Sequence, residues 1–269
     1  MAASTTPDRT PLAPQRQARI GVTLAAAIII AWLLAHVYAV FCHAAAPDGW
    51  SSTAIALSPL IIAFQCWLYV GLFIIAHDCM HTSLIPGRPA WNRAIGQLCL
   101  GLYAGFSFAR MLPKHHAHHR HAGLHNDPDF DARFEEGHPH GFWRWFAKFF
   151  GEYFAWRELA LISAVTWTYL LVLGAPLANV LLFWALPALL SALQLFTFGT
   201  YLPHRPAVKL DGAPGFADRH NARSSDFPWL VSLLTCFHFG YHHEHHLSPG
   251  TPWWQLPTLR HAHRSSAPN

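Results

Sequence analysis

Histidine is the residue type here whose spacing can do chemistry. Of 269 residues, 21 are histidine, and ten of these fall in three short clusters. His77 and His81 form H-x-x-x-H, while His115, His118 and His119 form H-x-x-H-H, a pattern that His242, His245 and His246 repeat. On a helix, residues three and four apart share a face, so each cluster presents its imidazoles to one side. His204, in the run Tyr201-Leu202-Pro203-His204, is a ninth candidate. A single structural zinc takes about four ligands, commonly including thiolates. Nine imidazoles exceed one ion and fit two. The Glu-x-x-His pairing of soluble di-iron bundles is not what these clusters carry. A zinc-protease H-E-x-x-H also fails, because His243-Glu244 is followed at the fifth position by Leu247. Imidazole suits iron, zinc, copper and nickel alike, so spacing leaves the metal open.

The elements that must hold these clusters are apolar. Over the whole chain 52% of residues are hydrophobic and only 12% charged, against roughly a quarter charged in an average soluble domain. That excludes an ordinary water-soluble globule, and a disordered chain as well. The formal net charge of +4 is too balanced to suggest nucleic acid. Four stretches, about 20–41, 54–76, 159–173 and 177–201, approach or exceed what a hydrocarbon core requires, about 20 apolar residues per crossing. The third is short. A fifth, 94–111, is interrupted around Gly101 and Gly105 and reads as a buried or re-entrant segment. Every lysine and arginine lies before the first span, within 78–158, or after Tyr201, whereas the connections 42–53 and 174–176 contain none. The positive-inside rule then places both termini and all nine histidines on the cytoplasmic side. The 22-residue apolar core of the first span reads as a retained anchor, longer than a signal peptide's. Residues 141–157, mixing aromatics with Arg144, Lys148 and Arg157, read as an amphipathic helix at headgroup level. The five cysteines show no C-x-x-C pair and read as small buried hydrophobes.

Asp78, Asp127, Asp129 and Glu244 are candidates to hold the far ring nitrogen of a ligating histidine and so fix its tautomer. His116, His238 and His243 lie beside the boxes as alternate ligands or supports, and His138 and His140 read as solvated. Phe106, Phe108, Phe196 and Phe198 are candidates to line an apolar slot, although helix packing is the commoner role for such aromatics.

Three histidine boxes at the ends of membrane helices resemble the membrane di-iron desaturase and hydroxylase superfamily. More narrowly, AHDCMHTSLIPGRP at 76–89, KHHAHHRHAG at 114–123, DPDF at 127–130, ALQLFTFGTYLPHR at 192–205 and FHFGYHHEHHLSPGTPWWQLP at 237–257 resemble the bacterial β-carotene ketolases. The resemblance implies an all-α integral membrane protein of about four transmembrane helices, with a cytoplasmic helical cap holding a histidine-rich di-metal site. It implies a single oxygenase domain over 18–257, with tails at 1–17 and 258–269. It also implies two iron ions, O2 as co-substrate, and reduced ferredoxin or a similar electron donor. A carotenoid would be taken from the bilayer of the cell inner membrane, and ring position 4 would pass from methylene to alcohol, geminal diol and ketone. Carried over residue by residue, the iron ligands would be His77, His81, His115, His118, His119, His204, His242, His245 and His246. One departure is Thr82, where the ketolases are expected to carry glycine. Ring hydroxylation or acyl desaturation in the same superfamily is an alternative reading. A histidine-rich metal transporter is another, disfavoured because spans two to four contain no Asp, Glu, Lys, Arg or His along a path.

Overall fold

The computed structural model describes residues 12–44, 50–131, 141–205, 216 and 218–266. Among these every regular element is helical. Residues 1–11 of the expected N-terminal tail, and His138 and His140, lie outside the described residues.

Helix α1 (Pro14–Val37) opens on a proline at its first turn, where no backbone N–H is needed, and runs on through a π-helical turn, Tyr38–Cys42. It therefore begins inside the segment expected to be a tail. The cause is Gln17, whose amide donates to the Ser83 carbonyl at 2.6 Å and pins the start of α1 beside the first histidine box. Helix α2 (Ser52–Met80) is capped by the Ser51 hydroxyl, which accepts from the Ala54 N–H at 3.1 Å. It forms the centre of the bundle, its second half buried on all sides by Val70, Leu72, Ile74 and Ile75 among others.

Helices α3 (Pro89–Ala104) and α4 (Phe108–His121) are the interrupted stretch, and they meet at 98°. Gly105 ends α3 with φ +68°, a left-handed conformation that glycine adopts without strain. Gln97 then clasps the corner, its Oε1 accepting from the Phe108 N–H at 3.0 Å and its Nε2 donating to the Phe106 carbonyl at 3.1 Å. Gly96 lets the corner close: a Cβ there would sit 2.4 Å from the Phe108 ring. The bend turns the histidine face of α4 toward the end of α2.

Helix α5 (Phe142–Tyr153) is the amphipathic segment, exposing Trp143 and burying Trp145 against Phe130 and Phe196. Helix α6 (Trp156–Trp167), extended by a π-helical turn at Thr168–Val172, forms the arm expected as the third span. Helix α7 (Leu177–His204) is the last long apolar helix and carries several π-helical turns. Thus α1 with its extension, α2 and α7 are each long and apolar enough to cross a membrane, and the bent pair α3–α4 adds a fourth if it counts as one span; α6, expected as the third span, is not among them.

Two short helices follow: α8 (Trp229–Cys236) and α9 (His242–Leu247). Between them Phe237 and His238 both hold positive φ, 48° and 62°, in a sharp reversal. The Phe237 ring, stacked on Trp67 at 4.5 Å, anchors that turn. The segment expected as a C-terminal tail forms instead helix α10 (Leu256–Ser266). Its Arg260 bridges Glu244 and Asp226, each at 2.8 Å, which gives this polar helix a fixed seat.

Candidate metal centre

The three boxes and His204 converge into two groups. In one, donor nitrogens of His77, His81, His115, His119 and His245 all lie within 4.8 Å of one another; in the other, those of His118, His204, His242 and His246 do so. Helix geometry explains the division. The i,i+4 pairs His77/His81, His115/His119 and His242/His246 each point into one group. The remaining members, His118 and His245, look one step round their helices and enter the other. Each H-x-x-H-H box is therefore a divider, serving both groups from one turn and a half of helix. The groups touch where the His119 and His246 rings stack at 4.4 Å.

Inside the groups nitrogen faces nitrogen. His115 Nε2 lies 2.6 Å from His81 Nε2, and His245 Nε2 lies 3.0 Å from His119 Nε2. In the second group His242 Nε2 lies 2.9 Å from His204 Nε2 and 3.1 Å from His246 Nε2. Two ligands at right angles, each about 2.1 Å from a cation, would stand about 3 Å apart. Neither nitrogen of His77, a residue only 2% exposed, has a hydrogen-bond partner. Burial first, then neighbouring rings, holds His242, His245 and His246 well below the usual imidazole pKa, and His81 is pushed down to about 3. Neutral rings with converging lone pairs are what a divalent ion requires. The all-nitrogen donor set thus fits bound metal.

Outer partners orient two of the rings. His118 Nδ1 faces the Asp127 carboxylate at 3.0 and 3.1 Å, and Asp127 in turn accepts from the Gly123 and Asp129 N–H groups, each at 2.8 Å. Burial opposes the Asp127 charge, but the His118 ring and these donors outweigh it and hold its carboxyl below the usual range. Helix α5 braces this loop, Trp145 Nε1 donating to the Asp129 carbonyl at 2.6 Å. His204 Nδ1 is held by the Asn221 carbonyl at 2.8 Å. That support was missed in the sequence, since a backbone oxygen leaves no side-chain signature.

Of the four carboxylates expected on ring nitrogens, the structure brings only Asp127 within hydrogen-bond distance of one. Asp129 is 3.7 Å from His118 Nδ1 and accepts instead from the Tyr153 hydroxyl. Asp78 stands 3.9 Å from His77 Nδ1 and accepts the Trp253 N–H at 3.2 Å, tying the segment after the third box to α2. Glu244 binds Ser224 and Arg260, so it fixes α9 to α10 and not a ligand ring. His116, His238 and His243 stay outside both groups: His116 Nε2 lies 3.4 Å from the Met80 carbonyl, His238 stacks on Tyr241, and His243 pairs with Asp218 at 2.9 Å.

A cavity of about 700 Å³ ends on this centre. His77, His115, His118 and His242 are among its lining residues, and the apolar side chains around it come from α2 (Phe73), the α3–α4 corner (Phe106), α5 (Phe149), α6 (Leu161) and α7 (Trp184). Phe106 thus takes the lining role considered for it. Phe108 packs over Gly96 and Phe196 packs against Trp145.

The family model for fatty acid desaturases matches residues 50–165 and 138–269. β-Carotene ketolases of two Paracoccus strains are 54% and 50% identical, over 87% and 90% of this chain and 89% and 92% of theirs. A β-carotene 4-ketolase of Haematococcus lacustris is 36% identical over 89% of this chain and 78% of its own. A match to both halves of the sequence, together with near-full-length ketolase relatives, shows that the chain belongs to the β-carotene ketolase branch of the fatty acid desaturase family.

Proposed function

We propose that this protein is a β-carotene ketolase that converts the ring 4 methylene to a ketone, using O2, two iron ions and electrons from reduced ferredoxin or a similar donor. The observation that carries the reading is an apolar cavity that ends on histidines of both groups. An allylic C–H bond offers no acidic proton and no polarised carbonyl, so no side chain in this cavity can attack it. Bound iron supplies the redox and oxygen chemistry that side chains lack. His77, His81, His115, His119 and His245 would hold one ion; His118, His204, His242 and His246 would hold the other.

The chain itself positions and excludes. Asp127 and the Asn221 carbonyl fix the orientation of His118 and His204, and apolar side chains of α3, α6 and α7 line the cavity. The walls select a long hydrocarbon already dissolved in the bilayer. The distribution of lysine and arginine supports an inner-membrane protein with its metal centre and both termini on the cytoplasmic face. Expression in a bacterium that accumulates β-carotene, followed by pigment chromatography, tests the assignment. New keto products that vanish in His118→Ala are expected; unchanged β-carotene beside folded, iron-loaded protein would refute it.

A further inference from the structure

One short segment, residues 218–223, packs directly on the four-histidine group. The Asn221 carbonyl holds His204 Nδ1 at 2.8 Å, and the half-buried His220 ring stands 6.1 Å from that of His246. Asn221 takes a left-handed φ of 45°, which asparagine tolerates better than most residues. Its Nδ2 donates to the Ala122 carbonyl at 3.0 Å and ties the segment to the end of α4. Asp218 and Arg219 are exposed, so a single layer of chain lies between these rings and the surface. That layer is positively charged. Among the described residues no carboxylate pairs with Arg205, Arg219 or Arg223, and Asp218, the one acid of the segment, is taken by His243 at 2.9 Å. Arg205 and Arg223 rest instead on aromatic faces, those of Tyr201 at 5.8 Å and Phe216 at 4.8 Å, an attraction that leaves their charge uncancelled. Arg223 also donates to the Arg205 carbonyl, which keeps the two cations together. Burial first, and then the Arg205 charge, holds the Arg223 guanidinium below its usual pKa. Elsewhere around the centre Lys114 pairs with Glu152 at 2.7 Å, Arg144 with Asp131 at 3.5 Å, and Arg264 with Asp226. Nothing in the packing calls for three bare cations over the histidines.

We propose that Arg205, Arg219 and Arg223 form the docking site of an acidic one-electron carrier protein, which delivers its electron across the 218–223 segment. This rests on the ketolase reading. Each hydroxylation consumes one O2, two electrons and two protons and releases one water. A ketone, formed by two hydroxylations and loss of water from the diol, therefore draws four electrons, one from each carrier that docks and leaves oxidised. Electron tunnelling falls steeply with distance, so the carrier must seat where little chain covers the centre. Guanidinium forks match carboxylates on the carrier in geometry as well as charge. Electron-transfer contacts are small and brief, and opposite charge speeds encounter without tight binding, so a patch of three arginines is enough.

The test uses the full-length, iron-loaded protein in nanodiscs of uncharged lipid, with an acidic 2Fe–2S ferredoxin as the probe. Ferredoxin oxidation is followed by absorbance while ketone is counted by chromatography. Arg205→Glu with Arg219→Glu is expected to raise the KM for ferredoxin about tenfold at low salt, and the difference should vanish as salt screens the charges. Turnover driven by a small uncharged reductant, a reduced quinone, should match wild type, which shows that the variant is folded and loaded. Arg88→Glu, an exposed arginine beside the first box, is the control and should leave the ferredoxin KM unchanged. A ferredoxin KM that the double reversal does not move, or that Arg88→Glu raises equally, overturns the docking site. So does a KM that follows anionic lipid in the nanodisc and not the reversals. If wild type oxidises ferredoxin with this salt dependence but makes no ketone from any carotene, the ketolase reading fails and the docking site stands.

Discussion

Replacing Asp127 by asparagine separates the two histidine groups. Asp127 is 3% exposed, and its two oxygens share the His118 ring while one also accepts from Gly123 and the other from Asp129. Asparagine turns one oxygen into an NH2, so whichever way the amide sits, a donor faces a backbone donor and the grip on His118 is halved. Losing the outer partner of a ligating histidine typically costs about 10–100-fold in metal affinity, equivalent to about 1.4–2.8 kcal/mol. His118 belongs to the four-histidine group, so only one of two ions should weaken. The assay is equilibrium dialysis of detergent-solubilised protein against graded iron chelator, counting iron per chain. Asp127→Asn is expected to release one iron at 10–100-fold lower chelator strength and the other at the wild-type position. His81→Ala should shift the opposite step. Release of both irons together in Asp127→Asn, or an unshifted curve, would refute the division into two groups.

Thr82, a β-branched residue at φ 58° directly after the first box, occupies backbone space that suits glycine. Thr82→Gly should relieve about 1–2 kcal/mol of left-handed strain, offset by a glycine entropy cost of about 0.5–1 kcal/mol, and so raise the thermal midpoint in detergent; a lower midpoint would contradict this. Gly96→Ala pushes a methyl into the Phe108 ring at the α3–α4 corner; a loss of about 1–3 kcal/mol and displaced box-two histidines should appear as a lower midpoint together with reduced iron content. Arg260→Ala leaves the fully buried Glu244 with the Ser224 hydroxyl and with His263 Nδ1 at 3.7 Å. Because Arg260 is itself partly exposed, the expected cost is about 1–3 kcal/mol, less than for a wholly buried pair, checked by thermal unfolding against Glu244→Gln.

The convergence of the histidine boxes was legible because i,i+4 histidines on a helix must share a face, and the apolar runs marked where those helices end. The division into two groups was not legible. It depends on how α4 and α9 are rotated against α2, and rotation leaves no mark in spacing. Glu244 was hidden for a related reason: its neighbours in sequence belong to the histidine groups, yet its side chain points the other way, toward Arg260. Helix α10 escaped notice because it is anchored by charge, with Arg260 and Arg264 both on Asp226, and carries no apolar stripe to announce it. Conversely, the glycine-broken stretch around Gly101 and Gly105 announced its bend openly, and the structure turns there by 98°.

The contact that closes the five-histidine group joins His119 to His245 across 126 residues of sequence. During synthesis, helices α2 and α4 therefore emerge long before α9 exists; for that interval the five-histidine group has four of its members and the four-histidine group at most two. Copper and zinc bind nitrogen donors more tightly than ferrous iron does. An unfinished nest lacks the full set of converging donors, and docking of α9 is what completes both groups.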